Sequence, residues 1–163
     1  MAQLPDGRLL VTERQGVLKI FDPTSKQMLQ VSGVPKVRYG GQGGLGDVIL
    51  HPQFSQNHWI YLSYAEAGQG GQGAVVIRAK LDLNSPNQPK LMEIEKIWQQ
   101  VPKVSGQGHY AHRLAFDREG KLWISSGERQ KFDPAQDMQS NLGKIVRLND
   151  DGRPAAGNPF AAQ

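Results

Sequence analysis

The sequence predicts an all-β chain, a partial β-propeller about two blades long, and three observations predict it. Nineteen glycines and ten prolines in 163 residues require many turns, which favours short strands over helices. Three segments share one pattern of turn, short apolar strand and polar end. The pattern recurs every ~50–60 residues, at the long end of the periods of propellers and solenoids.

The three segments are Pro5 to Arg14 (PDGRLLVTER), Asn57 to Glu66 (NHWIYLSYAE) and Arg118 to Arg129 (REGKLWISSGER). A second strand is expected after each, at Val17 to Phe21, Ala74 to Leu83 and Lys144 to Leu148. Val75, Ile77, Ala79, Leu81 and Leu83 alternate with Val76, Arg78, Lys80 and Asp82, the pattern of a half-buried strand. A third strand is expected at Met28 to Val34 and at Met92 to Val101, although Glu93, Glu95 and Lys96 also tolerate a helix. A further strand precedes two of the segments, at Leu45 to Leu50 and at His109 to Phe116. The middle repeat therefore has four strands, roughly over 44–51, 58–65, 74–83 and 91–101, which make one antiparallel blade. The first repeat is expected to lack its innermost strand and the last its outermost. The chain divides into a partial blade (1–40), a complete blade (41–103) and a second partial blade (104–163), forming one incomplete domain. A sandwich also has short strands and regular turns, but the period favours the propeller.

Composition narrows the function classes. Nineteen Lys and Arg stand against 15 Asp and Glu, giving a net charge of +4 without any basic run. No basic stripe carries interleaved aromatics, so no nucleic-acid partner is expected. There is no cysteine, which removes disulfide and thiolate chemistry and leaves the compartment open. No apolar stretch reaches membrane-spanning length. The opening residues Met1 to Gly7 lack the basic head and apolar run of a signal peptide, and read like the middle of a domain.

Two stretches could carry chemistry. The first is Tyr39 to Asp47 (YGGQGGLGD), whose glycines allow unusual backbone angles and close approach. It lacks the Lys-Ser/Thr of a phosphate loop and leads into a strand. Gln42 is its polar exception, able to donate and to accept. The second is Ser105 to Leu114 (SGQGHYAHRL), where His109 opens a predicted strand. His109 and Ala111 would share one face, with Tyr110 and His112 on the other. A glycine-rich turn and a structural histidine are the plain alternatives. Topology counts against them, because Gln42 and His109 both precede the first strand of successive blades. Equivalent positions lie at one mouth of a propeller's channel, where small-molecule sites belong. An imidazole there suits proton abstraction near neutral pH, given a partner to fix its tautomer, and the sequence singles out none. Glu128, at the end of an inner strand, could line the channel, but local pairing with Arg129 or Arg113 is the favoured expectation. No metal ligand set is picked out: His109 and His112 would face opposite ways, and the loop from Asp133 to Asp137 is too poor in oxygen ligands for calcium.

At these residues the sequence resembles the soluble pyrroloquinoline quinone (PQQ) dependent aldose sugar dehydrogenases of the glucose/sorbosone dehydrogenase family. The likeness rests on PDGR…VTER at 5–14, GQGGL at 41–45 with His51-Pro52-Gln53-Phe54, His109…Arg113-Leu114 with Gly127-Glu128, and GKIVRLNDDG at 143–152 with Asn158-Pro159-Phe160. The ordered set is more specific than any one motif. The resemblance implies a six-bladed propeller with PQQ at the channel mouth. It implies His109 as the general base that takes the anomeric hydroxyl proton, and Gln42 as a residue beside cofactor and substrate. It implies an aldose sugar substrate, an external electron acceptor and a periplasmic or secreted location. It also implies calcium, with ligands outside this chain, as are the family's Arg-Asn pair and later basic cofactor contacts. The chain is therefore expected to be a fragment, inactive alone. Three positions depart from the family pattern: Gly108 where some members have Asp, Gly46-Asp47 where an apolar residue and Gly are usual, and His112 in place of a small residue. A non-catalytic propeller module binding a protein or a glycan is the alternative.

Overall fold

In the computed structural model, which describes residues 1–85 and 87–160, three antiparallel sheets follow one another in chain order. Residues 161–163, the end of the third repeat, lie outside the described part. The first sheet is β1 (Ala2–Gln3), β2 (Leu9–Glu13), β3 (Val17–Phe21) and β4 (Met28–Val31). The second is β5 (Leu45–Leu50), β6 (Trp59–Gly68), β7 (Gly71–Asp82) and β8 (Lys90–Gln99). The third is β9 (Ala111–Phe116), β10 (Leu122–Ser126) and β11 (Lys144–Leu148). Strands in each sheet are hydrogen-bonded in sequence order, as in the blades of a propeller. The chain is a partial β-propeller.

The turns follow from local chemistry. In Pro5-Asp6-Gly7-Arg8, the Leu4 N–H donates to the Arg8 carbonyl at 2.8 Å, and Asp6 Oδ1 accepts the Arg8 N–H at 3.0 Å. Asp117 to Lys121 repeats this, with its N–H on the Lys121 carbonyl at 3.0 Å and Oδ1 accepting from Glu119 and Lys121. An Asp that receives its own turn's N–H groups is a local hairpin device. In the middle sheet the corresponding turn is one helical turn, α1 (Phe54–Asn57), closed by His58 at φ 57.

The core lies between the sheets. Leu10, Leu18, Ile20 and Val31 of the first sheet pack with Leu45, Val48, Ile60, Leu62, Val75 and Ile77 of the second. Tyr61 and Val76, on the opposite face of the second sheet, pack with Leu114, Leu122, Ile124 and Leu148 of the third. Period-two alternation sends neighbouring residues of one strand into different cores. Each fully buried Leu or Ile contributes about 2 kcal/mol.

Three sequence expectations need correction. The first sheet has an innermost strand, β1; two residues are too few to show periodicity. The strand expected from Ala74 is buried on both faces over Ala74 to Ile77, not half-buried, because a sheet covers each side. The strand expected from His109 begins at Ala111. Positive φ at His109 (47), Ala111 (57) and His112 (47) breaks the extended path, and β9 and β10 shift register between Ile124 and Ser126.

Candidate active site

The loops before β5 and β9 lie side by side. The first owes its path to glycine, with Gly41 at φ 53 and Gly44 at φ 130, conformations that side chains resist. Arg14, at the end of β2, donates to the carbonyls of Gly41 and Gly43 and lies over the Tyr39 ring at 5.4 Å. At the exposed tip, the Gln42 N–H donates to the Gln107 carbonyl at 2.8 Å, and Gln42 Oε1 accepts the His109 N–H at 2.7 Å. The structure therefore brings Gln42 and His109 into direct contact across 67 residues of sequence. The Gln42 amide nitrogen makes no hydrogen bond among the described residues.

Alternation about His109 is as expected from the pattern, with His109 and Ala111 exposed and Tyr110 and His112 buried. The His109 side chain is 50% exposed. Its Nδ1 is hydrogen-bonded to Glu128 Oε1, which corrects the expected pairing of Glu128 with an arginine. Arg113 instead reaches Asp47 at 3.4 Å, and Arg129 is turned inward onto backbone carbonyls. Glu128 Oε2 accepts the N–H groups of Lys131 at 2.6 Å and Phe132 at 3.0 Å. The Phe132 N–H first, then the His109 hydrogen bond, push the Glu128 carboxyl down to about 2. An ionised carboxylate can only accept. The proton on the pair therefore sits on His109 Nδ1, so that in the neutral ring Nε2 carries the lone pair.

The residues that depart from the family pattern form a second layer. Buried Asp47 accepts the Leu114 N–H at 3.0 Å and donates its own N–H to Ser63 Oγ at 2.8 Å. Ser63 Oγ lies 2.8 Å from His112 Nδ1. Burial pushes the His112 imidazole down to about 4, so it is neutral near pH 7. A Cβ at Gly108 would meet the end of the Gln130 side chain, and the carboxylate that bonds the His109 ring is that of Glu128, not one from position 108. Sequence reasoning missed Glu128 as that partner, missed Gln107, and took Arg129 for an ion-pair partner of Glu128 where the structure turns it onto buried carbonyls. The recurrence of Glu-Arg at 13–14 and 128–129 was the one available signal.

The donor set has a definite chemistry. A free amide N–H pair beside a half-exposed imidazole held through Nδ1 suits a ligand rich in acceptor oxygens together with a hydroxyl to be deprotonated. The quinone and carboxylate oxygens of PQQ are such acceptors, so the residues present fit that group.

The model of the family described as Glucose / Sorbosone dehydrogenase matches residues 1–163. The aldose sugar dehydrogenase YliI of Escherichia coli (strain K12) is 40% identical over 164 residues, covering 98% of this chain and 43% of that protein. The crystal structure of the soluble aldose sugar dehydrogenase from Escherichia coli in the apo form superposes with a TM-score of 0.92 at 39% identity, covering 99% of this chain and 46% of that one. The PQQ-bound form of the aldose sugar dehydrogenase from Streptomyces coelicolor gives a TM-score of 0.86 at 30% identity, over 98% of this chain and 46% of that one. The chain spans less than half the length of these relatives.

Proposed function

This chain belongs to the glucose/sorbosone dehydrogenase family, and on that premise we propose that it forms part of an oxidoreductase that oxidises aldose sugars at the anomeric carbon with PQQ. The observation that carries the proposal is the Gln42–His109–Glu128 constellation. His109 is the general base: its Nε2 takes the proton of the anomeric hydroxyl. Glu128 holds the ring in the Nδ1–H tautomer and stabilises the imidazolium that forms on proton transfer. Its own carboxyl, held down to about 2, stays ionised and leaves the proton on the imidazole. Gln42 fixes the His109 backbone through Oε1 and offers its amide N–H groups to the cofactor. PQQ, when bound, supplies the two-electron acceptor that these side chains lack. Calcium belongs to the proposal only through residues outside this chain. The external electron acceptor and a periplasmic or secreted location rest on likeness to the family alone.

The test is His109→Ala in the protein expressed from its full gene and reconstituted with PQQ and calcium. Dye-linked oxidation of aldose sugars is expected to fall by at least about 100-fold, the range of general-base catalysis, with the circular dichroism unchanged. Undiminished turnover would favour the non-catalytic reading, a propeller module that binds a protein or a glycan.

A further inference from the structure

Arg129 is the largest fully buried side chain among the described residues, and among them no carboxylate bonds its guanidinium. Nε donates to the Gly108 carbonyl at 2.8 Å and Nη2 to the Gly106 carbonyl at 2.7 Å. Nη1 donates to the Gln72 carbonyl in the second sheet. The guanidinium lies over the Tyr110 ring, 3.7 Å from its centre. The Arg129 backbone N–H donates to the His109 carbonyl at 3.2 Å. One residue thus holds positions 106, 108, 109 and 110 from beneath and ties them to the neighbouring sheet.

The held segment is strained. His109, Ala111, Arg129 and Gln130 all take positive φ, between 47 and 62. Non-glycine residues keep such angles only where surrounding contacts over-determine them. Arginine suits the task because its planar fork serves three carbonyls at once, which a lysine ammonium on a flexible stem cannot do in the same geometry. Tyr110 contributes its ring, since its buried hydroxyl has no partner among the described residues. The residue preceding Arg129 is Glu128, whose carboxylate grips His109 Nδ1. A single buried cation therefore fixes the backbone on both sides of the imidazole–carboxylate pair.

We propose that Arg129 is a positioning residue, whose grip on the Gly106, Gly108 and Gln72 carbonyls sets the His109–Glu128 geometry. The inference rests on the reading of His109 as the base, but two of its measurements do not. The test uses Arg129→Met and Arg129→Lys in the protein expressed from its full gene. In the unaltered protein, nitrogen-15 spectra are expected to show His109 as the Nδ1–H tautomer, with the Arg129 Nε–H slow to exchange. In folded Arg129→Met the tautomer is expected to shift toward Nε2–H, with kcat down about 100-fold, as for a misplaced catalytic group, and KM little changed. Arg129→Lys keeps the buried charge and is expected to fall between the two. An unchanged His109 tautomer in a folded Arg129→Met protein overturns the proposal. So does unchanged kcat in a protein whose turnover His109→Ala abolishes. If both variants fail to fold, fast exchange of the Arg129 Nε–H in the unaltered protein overturns it instead. Loss of the tautomer in Arg129→Met while His109→Ala leaves turnover intact would retain the positioning role and refute the catalytic reading of His109.

Discussion

His112 is neutral because its site disfavours charge. Burial is the largest cause of its fall to about 4; Asp47 opposes it, while Arg113 and Arg129 add to it. The unfolded imidazole binds a proton from about pH 6.5 downward. Stability from this group is therefore full above pH 6.5, declines as pH falls from 6.5 toward 4, and is level below. The decline is on the order of 3 kcal/mol. His112→Gln keeps a hydrogen-bonding partner for Ser63 without a titrating ring, and is expected to flatten that slope when urea midpoints at pH 7 and pH 5 are compared. The Glu128 shift acts lower: with a folded value of about 2, its contribution is whole above the ordinary glutamate value of 4.5 and is lost only as pH falls toward 2. At position 46 even a methyl group would overlap the His112 ring. Gly46 and His112, two departures from the family pattern, are thus one steric unit.

At the scale of the element, sheets dock through side chains that complete each other's backbone. Gln100 is fully buried just after β8. Its Oε1 accepts the Ala74 N–H at 2.8 Å, and its Nε2 donates to Ser126 Oγ at 3.0 Å and to the Gly127 carbonyl at 2.9 Å. Gln100→Ala leaves the buried Ala74 N–H without a partner. It is expected to lower the unfolding free energy by about 2–3 kcal/mol, seen as a lower urea midpoint with an unchanged m-value. The ambiguous composition of β8 has the opposite cause. β8 is the outermost strand of its sheet, largely exposed, and its charges pair sideways: Glu95 with Arg78 at 2.7 Å, Glu93 with Lys80 at 2.9 Å and Lys96 with Glu66 at 2.8 Å. Charged side chains suit an outer strand, so helix-tolerant letters here mark position in the sheet.

At the scale of the whole molecule, the two faces of the third sheet differ in their cover. Leu122, Ile124 and Leu148 face the second sheet, whereas Trp123 and Ile145 point the other way, Ile145 being 67% exposed. With Phe160 they line an open groove of about 970 Å³. An uncovered apolar face of this kind promotes association. The 163-residue chain is expected to show concentration-dependent association in sedimentation velocity, weakened by Ile145→Lys. A monomer at every concentration would show that the face is tolerated in water. No helix of the described residues is long and apolar enough to cross a membrane.

By itself the sequence determined the strands apart from the two-residue β1 and the start of β9, because period-two patterning and turn chemistry act over a few residues. It also determined that Gln42 and His109 occupy equivalent places in successive repeats. Their contact follows from that equivalence, since stacked repeats bring like positions together. Only the tertiary structure decided which partner each charged group takes. Glu128 had two arginines as candidate partners, yet Arg113 is drawn to Asp47 and Arg129 to buried carbonyls, leaving the imidazole to Glu128. Such choices depend on which groups lose water and which backbone acceptors wait inside, and both are set by how the sheets stack.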